Sequence, residues 1–260
     1  MDAHVVNAFT DAAFGGNPAG VVLLDAPAEA AWMQAVAAQL KHAETAFVVL
    51  RPAGEALPLR WFTPTTEVDL CGHATLAAAH VLGGEHRFDT RSGELTCRSD
   101  GSTGELDFPA DAAELVEPPA ELAGGLPGTT IERVARGRSD VLVQLESAAQ
   151  VRALQPDLDA LGRVETRGII VTARGDTAGV DFVSRFFAPR VGISEDPVTG
   201  SAHCTLAPWW AAELGRSADG AELTGEQASE RGGTVRAELR GDRVVLRGRC
   251  VTFMRGQILA

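Results

Sequence analysis

Two short stretches of this chain place an imidazole among small side chains, the first of them together with two acids, in an order that suits acid–base chemistry. The first is 195–203, Glu-Asp-Pro-Val-Thr-Gly-Ser-Ala-His, and an apolar run follows it at 204–214. We interpret this stretch as a loop that leads into a helix N-terminus. The N–H groups of a first helical turn and the helix dipole favour an anion such as a carboxylate. Small residues such as Gly200 and Ser201 let that ligand approach the backbone closely.

The second stretch is 71–75, Cys-Gly-His-Ala-Thr, which precedes an apolar run at 76–82. His73 could donate to a polar group of a substrate or carry a proton, or it could be idle. A thiol at a helix N-terminus has a lowered pKa, so Cys71 could react, although a buried cysteine is often only a packing residue. Glu44 is a candidate general acid/base if apolar surroundings raise its pKa, and otherwise an ordinary solvated acid.

The polar residues of the first stretch also have purely structural interpretations. Asp196, Thr199 and Ser201 could serve only as caps of the turn and helix. His203 suits core support as well as it suits a site role. A metal site built from cysteine and histidine across both stretches lacks the usual ligand spacing, so we expect no metal. That alternative set would comprise Cys71, His73, His203 and Cys204.

Composition narrows the function classes. The chain has 260 residues, a net charge of −12, 45% hydrophobic and 22% charged residues, as in soluble globular proteins. No Lys/Arg cluster suggests nucleic-acid binding, and no run approaches the roughly 18 apolar residues of a membrane span. The N-terminus lacks a secretory pattern, so we expect a cytoplasmic protein with reduced cysteines. Phosphate-loop, dinucleotide and nucleophile-elbow motifs are missing from the sequence.

An internal repeat predicts the fold. Each half contains a Gly-containing turn, an apolar helix and a hairpin, which indicates an α+β protein of two pseudo-symmetric halves, 1–112 and 113–260. We expect a mostly antiparallel sheet around a central apolar helix in each half, a linker within 109–128, and both helix N-termini at one cleft. The pattern leaves open whether 251–260 returns to the first half. The matching segments are 60–64 with 185–189, 70–75 with 198–203, and 92–97 with 232–237.

These motifs together resemble the PhzF family of phenazine biosynthesis, which has the diaminopimelate-epimerase-like fold. The resemblance covers nearly the whole chain, and the last motif is the most specific. The matching motifs are Gly16-Asn17-Pro18-Ala19-Gly20, Ala43-Glu44-Thr45-Ala46-Phe47, Phe62-Thr63-Pro64, Leu70-Cys71-Gly72-His73-Ala74-Thr75 and the stretch 195–203.

The resemblance implies a cofactor-independent isomerase that works as a homodimer. The residue matching Glu44 would shuttle a proton between carbons of a small cyclic acid. Residues matching His73 and Asp196 would hold polar groups of the substrate and assist. The backbone at Gly72 and the residues Gly200 and Ser201 would receive the carboxylate of the substrate.

Two departures from the family bear on the substrate. Epimerases of this fold use two cysteines, and Cys71 lies near the first of these positions, where we expect it to contact substrate. The second position falls at Asp196-Pro197, which offers no thiol, and Cys204 lies further on, inside the predicted helix. Cys71 and Ala74 also differ from the phenazine enzyme itself. We therefore expect proton transfer by Glu44 on an unnamed carboxylate, with a thiol-based epimerase or a non-catalytic binding protein as alternatives.

Overall fold

The computed structural model describes residues 1–217 and 219–260. Among these residues no helix has the length and apolar character needed to cross a membrane. The strands are β1 (Asp2–Ala8), β2 (Asn17–Leu24), β3 (Glu44–Val49), β4 (Leu57–Phe62), β5 (Glu67–Val68), β6 (Gly84–Thr90), β7 (Gly93–Ser99), β8 (Thr103–Pro109), β9 (Glu114–Leu115), β10 (Ile131–Arg136), β11 (Asp140–Leu145), β12 (Gly168–Arg174), β13 (Phe182–Phe187), β14 (Glu222–Gln227), β15 (Gly233–Arg240) and β16 (Arg243–Gln257). The helices are α1 (Ala30–Leu40), α2 (Gly72–Leu82), α3 (Leu122–Gly125), α4 (Ala148–Ala153), α5 (Leu158–Leu161), α6 (Gly200–Glu213) and a 3₁₀ turn at Pro189–Val191.

The chain divides into two compact units. Unit 1 comprises Met1–Asp107 and Arg247–Ala260, and unit 2 comprises Phe108–Leu246. The second division falls inside β16, so the end of the chain belongs to unit 1.

Unit 1 is a closed barrel in which eight strands follow the order β1-β2-β3-β4-β6-β7-β8-β16 and β16 pairs back with β1. The pairs β2–β3 and β4–β6 are parallel, and the pairs β1–β2, β3–β4, β6–β7, β7–β8 and β1–β16 are antiparallel. Parallel neighbours need a crossover, which α1 and α2 supply. Helix α2 contacts β1, β2, β3, β6 and β7, and its residues from His73 to Ala79 are buried. Small alanines allow this close approach.

Unit 2 has strands in the order β9-β10-β11-β12-β13-β14-β15, with the start of β16 beside β15. The parallel pairs are β11–β12, connected through α4 and α5, and β13–β14, connected through α6. From β1 to β7, leaving out β5, and again from β10 to β15, successive neighbouring strands are therefore antiparallel, parallel, antiparallel, parallel and antiparallel. Trp210 of α6 donates from its Nε1 to Thr172 Oγ1 of β12 at 2.9 Å, which anchors the helix.

Two segments differ from the sequence-based prediction. The predicted linker 109–128 contains β9 and α3, and its Leu122 and Leu126 lie in the core of unit 2. Apolar side chains between the prolines and glycines hold this segment against the unit. Residues 11–20, which contain several turn formers, predict a loop by their sequence, but β2 already begins at Asn17. Gly16 makes that start possible with a φ of +66°, where a Cβ would lie 2.3 Å from the Ala8 carbonyl oxygen.

Candidate active site

Glu44 begins strand β3 and lies in unit 1 beside the start of the core helix α2. Its register partner in the parallel strand β2 is Ala19, two residues beyond Asn17. The Glu44 side chain is 13% exposed, and its Oε2 lies 3.2 Å from Nε2 of His73. The ordinary solvated position considered from the sequence is therefore excluded. The carboxylate is largely withdrawn from water next to an imidazole.

His73, the second residue of α2, is a neutral imidazole. Burial lowers its pKa from 6.5 to about 3. Its Nδ1 lies 3.2 Å from Asn17 Nδ2, and an amide nitrogen only donates, so this amide orientation assigns the ring proton to Nε2. Nε2 is buried and has no hydrogen bond of good geometry among the described residues, although Glu44 is close. A buried polar atom in this condition suggests an interaction with a ligand.

Cys71 is the N-cap residue of α2, and Gly72 is its first helical residue. The Cys71 side chain makes no capping hydrogen bond, and its Sγ lies 3.5 Å from His73 Nδ1. Thr75 Oγ1 donates to the Cys71 carbonyl at 2.5 Å, which secures the first turn. One reactive atom each from Glu44, Cys71 and His73 can be chosen so that all three lie within 4.8 Å of one another.

In unit 2 the turn from Asp196 to Thr199 is held by a buried amide. Gln227 Oε1 accepts from the Thr199 backbone N–H at 2.8 Å, and Gln227 Nε2 donates to the Asp196 carbonyl at 2.7 Å. Thr199, the N-cap of α6, donates from Oγ1 to Asp196 Oδ2 at 2.5 Å. Asp196 thus has a structural partner, and its carboxylate is fixed in orientation beside the helix start.

A guanidinium lies at the first turn of α6. Arg167 Nη2 donates to Ser201 Oγ at 3.0 Å, and Arg167 Nε donates to Asp140 Oδ1 at 2.9 Å. Asp140 is buried, whereas the Arg167 side chain remains partly exposed. Gly200 is the first residue of α6 and is buried. The turn therefore combines a helix N-terminus, a hydroxyl and a cation, which is a suitable environment for an anion.

His203 and Cys204 lie inside α6, as the sequence predicted for Cys204. His203 Nδ1 donates to the Thr199 carbonyl at 2.8 Å, and its ring lies beside Phe182. Burial lowers its pKa to about 4. These contacts give His203 a supporting position in the core. Cys204 Sγ lies 3.7 Å from the Gly200 carbonyl oxygen.

The predicted site residues form two groups, each within one unit. Unit 1 brings together Glu44, Cys71, Gly72 and His73, and unit 2 brings together Asp196, Gly200 and Ser201. Sequence reasoning missed three residues that orient these groups: Asn17, Arg167 and Gln227. Asn17 belongs to the motif 16–20, so the sequence could have indicated its role. Arg167 and Gln227 lie far from the turn in sequence, and no motif indicated a role for either residue.

Comparisons with known proteins agree on one family. The family model described as phenazine biosynthesis-like protein (PhzC-PhzF) matches residues 6–256. An uncharacterized isomerase of Halalkalibacterium halodurans is 45% identical, covering 98% of this chain and 97% of the relative. An uncharacterized isomerase of Pseudomonas aeruginosa is 47% identical, covering 99% of this chain and 98% of the relative. The human phenazine biosynthesis-like domain-containing protein is 36% identical, covering 100% of this chain and 99% of the relative.

Solved structures agree with these relatives. A phenazine biosynthesis protein of the PhzF family from Enterococcus faecalis superposes with a TM-score of 0.92 at 38% identity, covering 100% of this chain and 99% of the other. A hydroxyproline epimerase from Agrobacterium vitis shares the fold with a TM-score of 0.67 at 10% identity, and the match covers 99% of this chain and 92% of the other. The second likeness concerns the fold alone.

Proposed function

The chain belongs to the phenazine biosynthesis-like protein family, and on that premise we propose that it is an isomerase of a small cyclic carboxylate. The reaction would move a proton between two carbon atoms without a cofactor. Relatives that are named isomerases support the reaction class. The single observation that carries the proposal is the Glu44 carboxylate, 13% exposed, 3.2 Å from the Nε2 of a neutral His73.

Glu44 is the proton carrier in this proposal. A carboxylate with little water around it is a stronger base than a solvated one, and it can return the proton to a second carbon. His73 assists as a neutral donor, because its Nε2–H can stabilise the charge that develops on the substrate as the carbon loses its proton. A positioned acid/base of this kind typically contributes about 10²–10⁴ in rate.

The substrate carboxylate is assigned to the helix starts. Gly72 would offer its backbone at α2, while Gly200 and Ser201 would offer theirs at α6. Arg167 is added to the predicted residues because its Nη2 donates to Ser201 Oγ, and its pairing with Asp140 fixes this guanidinium as a donor at the turn. Asp196 would orient a polar group of the substrate and assist, and Cys71 would contact the ligand beside Glu44.

We also propose that the protein is a homodimer. Phe14 is 77% exposed and Phe253 is 54% exposed, and their rings pack edge-on at 5.8 Å. Met254, the next residue of β16, is 45% exposed. Exposed apolar clusters often mark interfaces. Sedimentation should give the mass of two chains, and Phe253→Ser should shift it towards one.

The decisive experiment is solvent exchange. We would incubate candidate cyclic and amino acids with the protein in heavy water and read deuterium on carbon by mass spectrometry. Glu44→Gln should lower the exchange rate about 10²–10⁴-fold. The control is Glu55→Gln, an exposed acid of the same unit, which should leave the rate unchanged. Full turnover by Glu44→Gln would end the assignment.

A thiol-based epimerase is the second candidate. It is favoured by the 3.5 Å contact between Cys71 Sγ and His73 Nδ1. Against it, Thr199 occupies at α6 the N-cap position that Cys71 has at α2, whereas the sequence had placed the equivalent position at Asp196-Pro197, and neither position offers a thiol. Loss of exchange in Cys71→Ser with activity kept in Glu44→Gln would select this alternative. Tight ligand binding with no exchange at all would instead indicate a binding protein.

A further inference from the structure

Three side chains at the start of α2 form a ligand set that proton transfer alone does not explain. Glu44, Cys71 and His73 offer an oxygen, a sulfur and a nitrogen within 4.8 Å of one another. We propose that these residues bind a divalent transition-metal ion of the zinc type, and that the bound ion reversibly blocks the Glu44 carboxylate.

The spacing suits a tetrahedral ion. Bonds of about 2.0–2.3 Å to nitrogen, oxygen and sulfur separate tetrahedral ligands by about 3.3–3.8 Å. Glu44 Oε2 and His73 Nε2 are 3.2 Å apart, the Cys71 sulfur lies 3.5 Å from His73 Nδ1, and one ligand atom from each residue can be chosen so that all three lie within 4.8 Å of one another. A rotation of the thiol from Nδ1 towards Nε2 would bring the sulfur to the same ion as the other two atoms. Three protein ligands leave the fourth position for water or for an oxygen of a ligand.

The hydrogen bonding of His73 also favours a metal. Its Nε2 is buried and makes no hydrogen bond of good geometry among the described residues, so this nitrogen is available to an ion. With Nε2 on the metal, the ring proton moves to Nδ1, 3.2 Å from the Asn17 amide. Turned so that its oxygen faces the ring, Asn17 would accept that proton, as metal-bound histidines require of their outer neighbours.

The ligand types determine which ions can compete. A thiolate and an imidazole select zinc, cobalt or copper over magnesium and calcium, which prefer oxygen ligands. Binding of the ion to Cys71 releases the thiol proton. The blocking of Glu44 rests on the proposed function, whereas metal binding itself does not.

The experiment is a titration of the purified, chelator-treated full chain with Co²⁺, followed by competition with Zn²⁺. We expect one ion per chain and a thiolate-to-cobalt charge-transfer band in the near ultraviolet, with no competition by Mg²⁺. Cys71→Ala should abolish the band. Its matched control is Cys97→Ala, a second buried thiol of unit 1, which should keep the band.

Two further variants test the metal site even if the Cys71→Ala variant does not fold. Glu44→Gln should weaken Zn²⁺ binding at least about 100-fold, and Asn17→Leu should weaken it about 10–100-fold. Circular dichroism checks that each variant is folded. An equally strong band in Cys71→Ala, or the lack of a band in the wild type, would overturn the metal site. Neither result would touch the exchange reaction.

Discussion

The first turns of the two core helices share a backbone frame and differ in chemistry. Helices α2 and α6 both start at a glycine after an extended N-cap residue, Cys71 in one and Thr199 in the other. Unit 1 surrounds this frame with a thiol, an imidazole and a carboxylate. Unit 2 surrounds it with hydroxyls, the carboxylate of Asp196 and the guanidinium of Arg167. The two helix starts thus share their backbone geometry, while the thiol and the imidazole belong to unit 1 and the guanidinium belongs to unit 2.

A second pair of equivalent residues shows the same divergence in burial. Arg60 of β4 binds Glu67, and Arg185 of β13 binds Glu195, each through two hydrogen bonds of 2.7 and 2.8 Å. Each guanidinium also lies over a phenylalanine two residues later. The Arg60 side chain is 35% exposed and that of Arg185 only 10%. Only Arg185 also donates to the Leu154 carbonyl, at 2.6 Å.

The largest effect should therefore come from Arg185→Met. Removal of a buried partner leaves a charge and a carbonyl unsatisfied, at a cost of about 3–5 kcal/mol in the free energy of unfolding. Arg60→Met, its exposed equivalent, should cost about 1 kcal/mol or less, because water screens that pair. Urea unfolding of both variants tests the difference. Equal losses would mean that burial does not distinguish the two pairs.

Substitution of Arg167 should have a smaller effect, and it tests whether the first turn of α6 binds an anion. In Arg167→Met the KM of a substrate found by heavy-water exchange should rise about 10–100-fold, with a smaller change in kcat. Arg167→Lys should recover part of the affinity.

Because Asp140 is buried, the Arg167→Met variant could lose stability for structural reasons. The double variant Arg167→Met/Asp140→Asn removes the stranded charge and should restore the fold without restoring the KM. A lowered kcat at unchanged KM would move Arg167 from carboxylate binding to the chemical step.

The smallest effect concerns the two buried histidines, one in each core helix. Their pKa values are lowered from 6.5 to about 3 in His73 and to about 4 in His203, so the unfolded chain takes up protons at higher pH than the folded one. Stability present above pH 6.5 is therefore lost as pH falls, by about 1.4 kcal/mol per pH unit for each histidine between roughly pH 6 and 4.

His203→Asn keeps a donor for the Thr199 carbonyl and removes the titrating ring. Unfolding free energies measured between pH 6 and 5 should fall less steeply in this variant than in the wild type, by about 1.4 kcal/mol per pH unit. Parallel pH profiles would show that His203 does not contribute to the linkage.

Much of the fold could be predicted from local patterns. Apolar runs after Gly-containing turns indicated both core helices, and repeated motifs indicated two similar units. For segment 109–128 the prediction from local patterns was wrong, because its prolines and glycines suggested a linker. Burial of Leu122 and Leu126 depends on partners far away in sequence, which no local pattern reports.

The chain order alone predicted the residues to which we assign the proposed chemistry: Glu44, His73, Cys71 and the turn 195–203. Their motifs are contiguous, and contiguous motifs can be recognised without a fold. The folded chain decided which atoms meet. Asn17 determines the tautomer of His73 because β2 begins beside α2, and Arg167 reaches Ser201 because buried Asp140 holds its guanidinium. Such contacts join residues distant in sequence, and only tertiary packing brings them within hydrogen-bonding distance.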